Sequence, residues 1–148
     1  MNVPAYPLST NPEKLVFRFK SFSEGKIISK EIAYVQMYQN SIIYNLALGD
    51  YDADGILSDL TISHNHDMEK VLATVAKSML EFFSIRPNCT IFFTGSTSVR
   101  TRLYRIAISN YMNEFKEIFV IYGTIKDLLE EFEPNKSYDS FLITLKKQ

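Results

Sequence analysis

The hydrophobic period of this chain changes partway along it, and that change restricts the folds open to it. Over residues 14–62 the pattern is that of strands: Leu15, Phe17 and Phe19 interleave with Val16, Arg18 and Lys20, and Ser23-Glu24-Gly25-Lys26 is a turn signal. A hairpin is the simplest reading. Residues 26–38 and 41–48, rich in β-branched and aromatic side chains, continue the series on either side of Gln39-Asn40. Residues 56–62 follow a turn at 50–55. The first half therefore reads as an antiparallel β-meander.

From residue 63 the period becomes helical. Met68, Val71, Leu72, Val75, Met79, Phe82 and Phe83 fall on one side of a helix, with Asn65, His66 or Asp67 as candidate caps. Arg86-Pro87 ends it, because the residue before a proline resists helical dihedrals. Residues 90–93 read as a short strand, 99–115 as a helix, 118–122 as a strand closed by Gly123, and the two strands as parallel across a right-handed crossover. Residues 124–132 read as a last helix, and 138–145 as a closing strand. All five glycines then fall at element ends. The expected class is α+β: the meander, then a helix-strand-helix-strand crossover and a C-terminal strand, a mixed sheet with helices packed on one face.

With 148 residues, 46% of them hydrophobic, the chain fits one domain over residues 1–148: an extended segment at 1–13, the meander at 14–62 and an α/β half at 63–148. Sixteen basic against seventeen acidic side chains give no global field for nucleic acid. The lone Cys89 makes no internal disulfide and reads as a buried, inert thiol; no apolar run is long enough to span a bilayer. A cytoplasmic protein without a membrane partner is the expectation.

Chemistry concentrates in residues 90–105. If a strand ends at Thr94 and a helix begins near Ser98, then Gly95-Ser96-Thr97 is the turn between them, where open sheets place ligands and where free helical N–H groups favour anions. On a helical projection Val99, Leu103, Ile106, Ala107 and Asn110 share one arc. Arg100 lies on its flank, Arg102 at the opposite edge, and Arg105 points away into solvent. Ser96, Thr97, Arg100 and Arg102 are the candidate anion-binding residues. A purely structural role competes with this, since serine and threonine before a helix are ordinary caps. The segment has neither the spacing and lysine of a phosphate-binding P-loop nor the three glycines of a dinucleotide site.

Two other clusters are incomplete. Gly49-Asp50-Tyr51-Asp52-Ala53-Asp54-Gly55 matches the first half of a calcium loop, but the position for a bidentate glutamate is Thr61, and a hairpin tip explains it better. His64-Asn65-His66-Asp67 with Asp59 has the residue types of a metal or general-base site but no recognised zinc spacing. No metal, cofactor or catalytic residue is assigned.

The blocks Asn45-Leu46-Ala47-Leu48-Gly49-Asp50, Asp59, Asn65-His66-Asp67, Val71-Leu72-Ala73-Thr74-Val75-Ala76 and residues 95–105 together resemble small bacterial proteins known only as a domain of unknown function. The resemblance implies a bacterial, intracellular, single-domain protein, makes residues 95–105 a hallmark of the group, and carries no activity. The expected function is a small binding or interaction module without catalytic activity, meeting a protein partner or its own copy through Tyr34, Tyr38 and Tyr44. The alternative is a protein that binds phosphate, nucleotides or nucleic-acid ends at residues 95–105, with Asp59 or His66 available were it an enzyme.

Overall fold

The computed structural model describes residues 4–23, 25–51, 57–58, 67–95 and 97–147. Its strands are β1 (Ser9–Thr10), β2 (Val16–Ser23), β3 (Lys26–Gln36), β4 (Ile43–Tyr51), β5 (Leu57–Ser58), β6 (Thr90–Phe93), β7 (Phe119–Ile125), β8 (Leu128–Glu131) and β9 (Ser140–Leu145). The helices are α1 (Met68–Ile85), α2 (Ser98–Asn110) and α3 (Met112–Ile118). Hydrogen-bonded strands follow the order β1-β2-β3-β4-β6-β9-β7-β8, with β5 on β4. β4 and β6 are parallel, and the pairs flanking β2, β7 and β9 are antiparallel. The chain adopts the expected α+β class with a mixed sheet. No helix among the described residues is long and apolar enough to cross a membrane.

Two compact units make up the chain. One comprises Asn2–Val35 with Ala47–Arg86, and the other Gln36–Leu46 with Pro87–Gln148. β4 contributes to both.

In the first unit the period of two sorts the β2–β3 hairpin into faces. Phe17, Phe19 and Ser21 of β2 and Lys30, Ile32 and Tyr34 of β3 are buried, while Arg18, Lys20 and Phe22 and Ile27, Ser29 and Val35 are exposed. Of the predicted stripe of α1, Val71, Leu72, Val75, Met79, Phe82 and Phe83 are buried and Met68, in the first turn, is half-buried. Each such side chain contributes about 1.5–3 kcal/mol of burial. The ring of Tyr34 stacks on Phe82 at 4.6 Å and its hydroxyl hydrogen-bonds Ser78 Oγ at 2.7 Å. Tyr34 is therefore core, and the expectation that it faces a partner is corrected. α1 stops as predicted, the Arg86 N–H bonding the Phe82 carbonyl ahead of Pro87.

The second unit departs further from the sequence reading. Residues 124–132 form no helix. β7 runs on to Ile125, Lys126 and Asp127 both take positive φ (50° and 67°), and β8 returns, with Ile125 opposite Leu128. Two consecutive left-handed residues make the turn that suits a two-residue hairpin. Asp139 Oδ2 fixes it by accepting the Lys126 N–H at 2.8 Å. This tertiary contact overrides the helical preference of Leu-Leu-Glu-Glu. β9 lies between β6 and β7, antiparallel to both, so the two predicted parallel strands share a direction but are not neighbours.

Gly49 lies inside β4 and Gly123 inside β7, which corrects the placement of every glycine at an element end. A Cβ on Gly123 would sit 2.2 Å from the Tyr138 ring, so the strand needs glycine there to admit the ring. The expected single helix over 99–115 is two, parted at Tyr111, and it ends at Ile118.

Candidate functional site

At the start of α2 the residues take the positions of a cap. Thr97 is the N-cap, and its Oγ1 accepts the Arg100 N–H at 3.2 Å. The Thr101 hydroxyl donates to the Thr97 carbonyl at 3.1 Å and accepts the Gly95 N–H at 3.1 Å. Gly95 is required by closeness, since a Cβ there would lie 2.5 Å from the Thr101 nitrogen and 2.7 Å from Arg100 Cβ. Ser96 lies outside the described residues. The structure thus joins Thr97 to Arg100 through the backbone of the latter, leaves Arg100 half-buried and places Arg102 in solvent.

The buried face of α2 is Thr101, Tyr104, Ala107 and Ile108, whereas Val99, Ile106 and Asn110 of the predicted arc are exposed. The Tyr104 ring packs on Phe93 at 4.4 Å, and with Thr101 tied to Gly95 this rotates the helix away from the face its aliphatic residues suggested. Arg105 is consequently half-buried instead of solvated, donating to Ser137 Oγ at 2.8 Å. Tyr38 is 68% exposed and Tyr44 half-buried. Cys89 is half-buried, not enclosed. Asp52, Asp54, Asp59, Thr61, His64 and His66 lie outside the described residues, and with them most of both incomplete metal clusters, of which Gly49, Asp50, Tyr51 and Asp67 are described.

The first unit holds polar groups that the sequence reading did not single out. Lys30, with its side chain at 0% exposure, bonds Asp50 Oδ1 at 2.6 Å, and Asp50 Oδ2 is buried without a partner among the described residues. The signal was present: Lys30 shares its strand face with Ile28, Ile32 and Tyr34, so a period of two already points it inward. Asp67, one of the predicted caps, is the N-cap of α1, but its carboxylate does not cap. Its Oδ2 accepts instead from the Tyr6 hydroxyl and from Ser21 Oγ, the latter at 2.5 Å.

Tyr6 ties the N-terminal segment down in three directions. Its N–H bonds Thr74 Oγ1 at 2.9 Å, its hydroxyl takes the Phe22 N–H at 3.0 Å, and the Lys70 ammonium lies 4.4 Å from its ring centre. Burial, and then the bond to Asp67, hold its phenol above the ordinary value of 10.0. The segment is therefore held to α1 and to the end of β2, not along the whole of β2.

That arrangement leaves an opening. β1 pairs with β2 only through Ser9 opposite Arg18 and Thr10 opposite Phe17. Two residues further the register sets Pro7 against Lys20. Proline has no N–H to give a ladder, so the pairing stops and the chain turns toward the site of Tyr6. Between the diverging segment and β2 is an open cleft of about 560 Å3, walled by Pro7, Leu8, Phe19 and Phe22. Its polar lining includes Ser9, Ser29, Arg18 and Lys20, and among the described residues no carboxylate lines it. Lys30 also contributes, with its charge engaged by Asp50, as that of Arg18 is by Glu31 at 3.0 Å. No carboxylate engages Lys20 among the described residues.

Neither a curated protein nor a solved structure matches the chain significantly. The Family of unknown function (DUF6934) matches residues 2–146, so nearly the whole chain, both units included, belongs to that family.

Proposed function

We propose that this chain is a small binding module without catalytic activity, and that it takes its ligand in the cleft between residues 7–9 and β2. The observation that carries the reading is an apolar cleft with a cation on its wall, Lys20, that no carboxylate among the described residues engages. Ligand sites are commonly concave and mostly apolar, with volumes of ~300–1,000 Å3 and a few placed polar groups. The walls are held by contacts that need no ligand: Tyr6 is fixed to Thr74 and to Phe22, and Phe19 stacks on Tyr6 at 5.7 Å. A preformed cleft spares a ligand the cost of ordering it.

The start of α2 supports a structural role better, because the Thr97 hydroxyl serves as an acceptor for the Arg100 N–H. Crystals soaked in benzyl alcohol, cyclohexanol and isopropanol test the assignment. The reading expects at least two of the three probes to superpose between Leu8 and Phe22. Probes that occupy other surfaces and leave this cleft to water would overturn it.

A further inference from the structure

The backbone edge of β2 inside the cleft has a specific gap. Backbone groups of alternate strand residues point the same way. The Val16 carbonyl accepts the Asn11 N–H, the Arg18 carbonyl accepts from Ser9 Oγ, and both backbone groups of Phe22 meet the Tyr6 hydroxyl, so the even residues of β2 face the N-terminal segment. The odd residues face β3, as the bond from the Tyr34 N–H to the Leu15 carbonyl shows. Lys20 is the even residue between Arg18 and Phe22. Its N–H and C=O face the cleft, opposite Pro7, and no described group bonds them from that side. One donor and one acceptor, set as for a strand partner, are thus offered to a ligand.

We propose that the cleft recognises an N-acylated apolar amino acid, the chemistry shared by a free acylamino acid and the carboxyl end of a peptide; this rests on the binding-module reading above. An antiparallel partner residue donates its own N–H and accepts at its own carbonyl oxygen. In an N-acyl amino acid these groups are the amide N–H, which donates to the Lys20 carbonyl, and a carboxylate oxygen, which accepts the Lys20 N–H. The carboxylate charge matches the ammonium of Lys20, the one cation of the cleft lining that no carboxylate among the described residues engages. A dianionic phosphate would bring a second charge into a largely apolar cleft where Arg18 and Lys30 are already paired. Ser29 is the cross-strand partner of Lys20 and lines the same cleft, so its hydroxyl is a further donor for the carboxylate. The acyl chain and the apolar side chain lie against Leu8, Phe19 and Phe22.

Calorimetric titration of the full chain with N-octanoyl-L-leucine, its carboxamide, its N-methyl derivative and a tetrapeptide ending in leucine tests the proposal. The acid and the peptide are expected to bind. The carboxamide and the Lys20→Met variant are expected to lose about 10-fold or more, as for loss of a hydrogen bond to a charged group. The N-methyl derivative is expected to lose several-fold. Lys20 is exposed, so this variant folds; its circular dichroism spectrum confirms that. Equal affinity of acid, carboxamide and N-methyl compound would overturn the recognition inference and leave the cleft standing as a site. Absence of binding by all four, with the soaked probes also missing from the cleft, would overturn both. Binding by the peptide alone would overturn the free acylamino acid as a ligand and keep the carboxyl-terminus chemistry.

Discussion

Lys30 Nζ and Asp50 Oδ1 meet at 2.6 Å with no part of the lysine side chain in solvent, and this pair fastens β3 to β4 inside the first unit. Burial takes both charges out of water, and among the described residues the second Asp50 oxygen has no hydrogen bond. Removing one partner strands the other. Lys30→Met is expected to destabilise folding by about 3–5 kcal/mol, and Lys30→Met with Asp50→Leu by much less. Urea denaturation of the two variants and of Asp50→Leu closes the cycle. Additive losses in the double variant would show that the charges are not coupled.

Gly123 and Tyr138 predict a packing penalty. Gly123→Ala puts a methyl group into the Tyr138 ring, whose hydroxyl also bonds Glu130 Oε2 at 3.0 Å and takes the Glu133 N–H at 2.9 Å. The ring is thus held at its hydroxyl end by two bonds. A loss of about 1–3 kcal/mol is expected, as for other overpacked sites. In the Tyr138→Leu background the alanine should cost less. A Gly123→Ala variant as stable as the parent would show that the strand moves freely away from the ring.

Alkaline pH should weaken the fold through the buried tyrosines. Burial pushes the Tyr34 phenol well above 10.0, with the Ser78 bond acting in the opposite direction, and Tyr6 is raised as well. The unfolded chain releases these protons near pH 10 while the folded chain keeps them. Stability is therefore complete below about pH 10 and falls as pH rises toward the folded values, with a limiting slope of about 1.4 kcal/mol per pH unit per group. Tyr34→Phe should flatten that slope between pH 10 and 11.5. It leaves Ser78 bonded to the Val75 carbonyl at 2.7 Å, so its cost at pH 8 should be about 1 kcal/mol. An unchanged slope in the variant would place the alkaline loss elsewhere.

Pro7 is expected to keep the cleft open. Pro7→Val restores an N–H opposite the Lys20 carbonyl and favours extension of β1 along β2. Hydrogen exchange at the Lys20 amide should slow in this variant, and affinity for N-octanoyl-L-leucine should fall. An unaltered exchange rate would mean that Tyr6, not the missing donor, ends the strand.

The residues that made the fold legible are those whose local preference and tertiary setting agree. In α1 a stripe from Val71 to Phe83 and the proline at 87 fix the element from sequence alone, and in β2 and β3 strict alternation fixes the faces. Misreadings arise where a long-range contact decides. Leu128 and Leu129 have good helix propensity, but the turn that precedes them is held by Asp139, twelve residues beyond Asp127. Tyr104 on Phe93 and Thr101 on Gly95 set the rotation of α2, so a projection of its aliphatic residues chose the wrong face. The cleft was hidden because it depends on a register, Pro7 opposite Lys20, that no local pattern states. Its raw materials were nonetheless visible: a proline just before the first strand and a lysine on the polar side of an alternating one.

The central claim is that the first unit offers its ligand site where β1 stops against Lys20. The direct measurement is amide chemical-shift mapping of the full chain as N-octanoyl-L-leucine is added. The account predicts saturable shifts led by Leu8, Lys20 and Phe22, which in Lys20→Met need about 10-fold more ligand or beyond to reach the same extent. Largest shifts at Thr97, Arg100 and Thr101, with Leu8 and Lys20 unmoved, would contradict it and return the site to the start of α2.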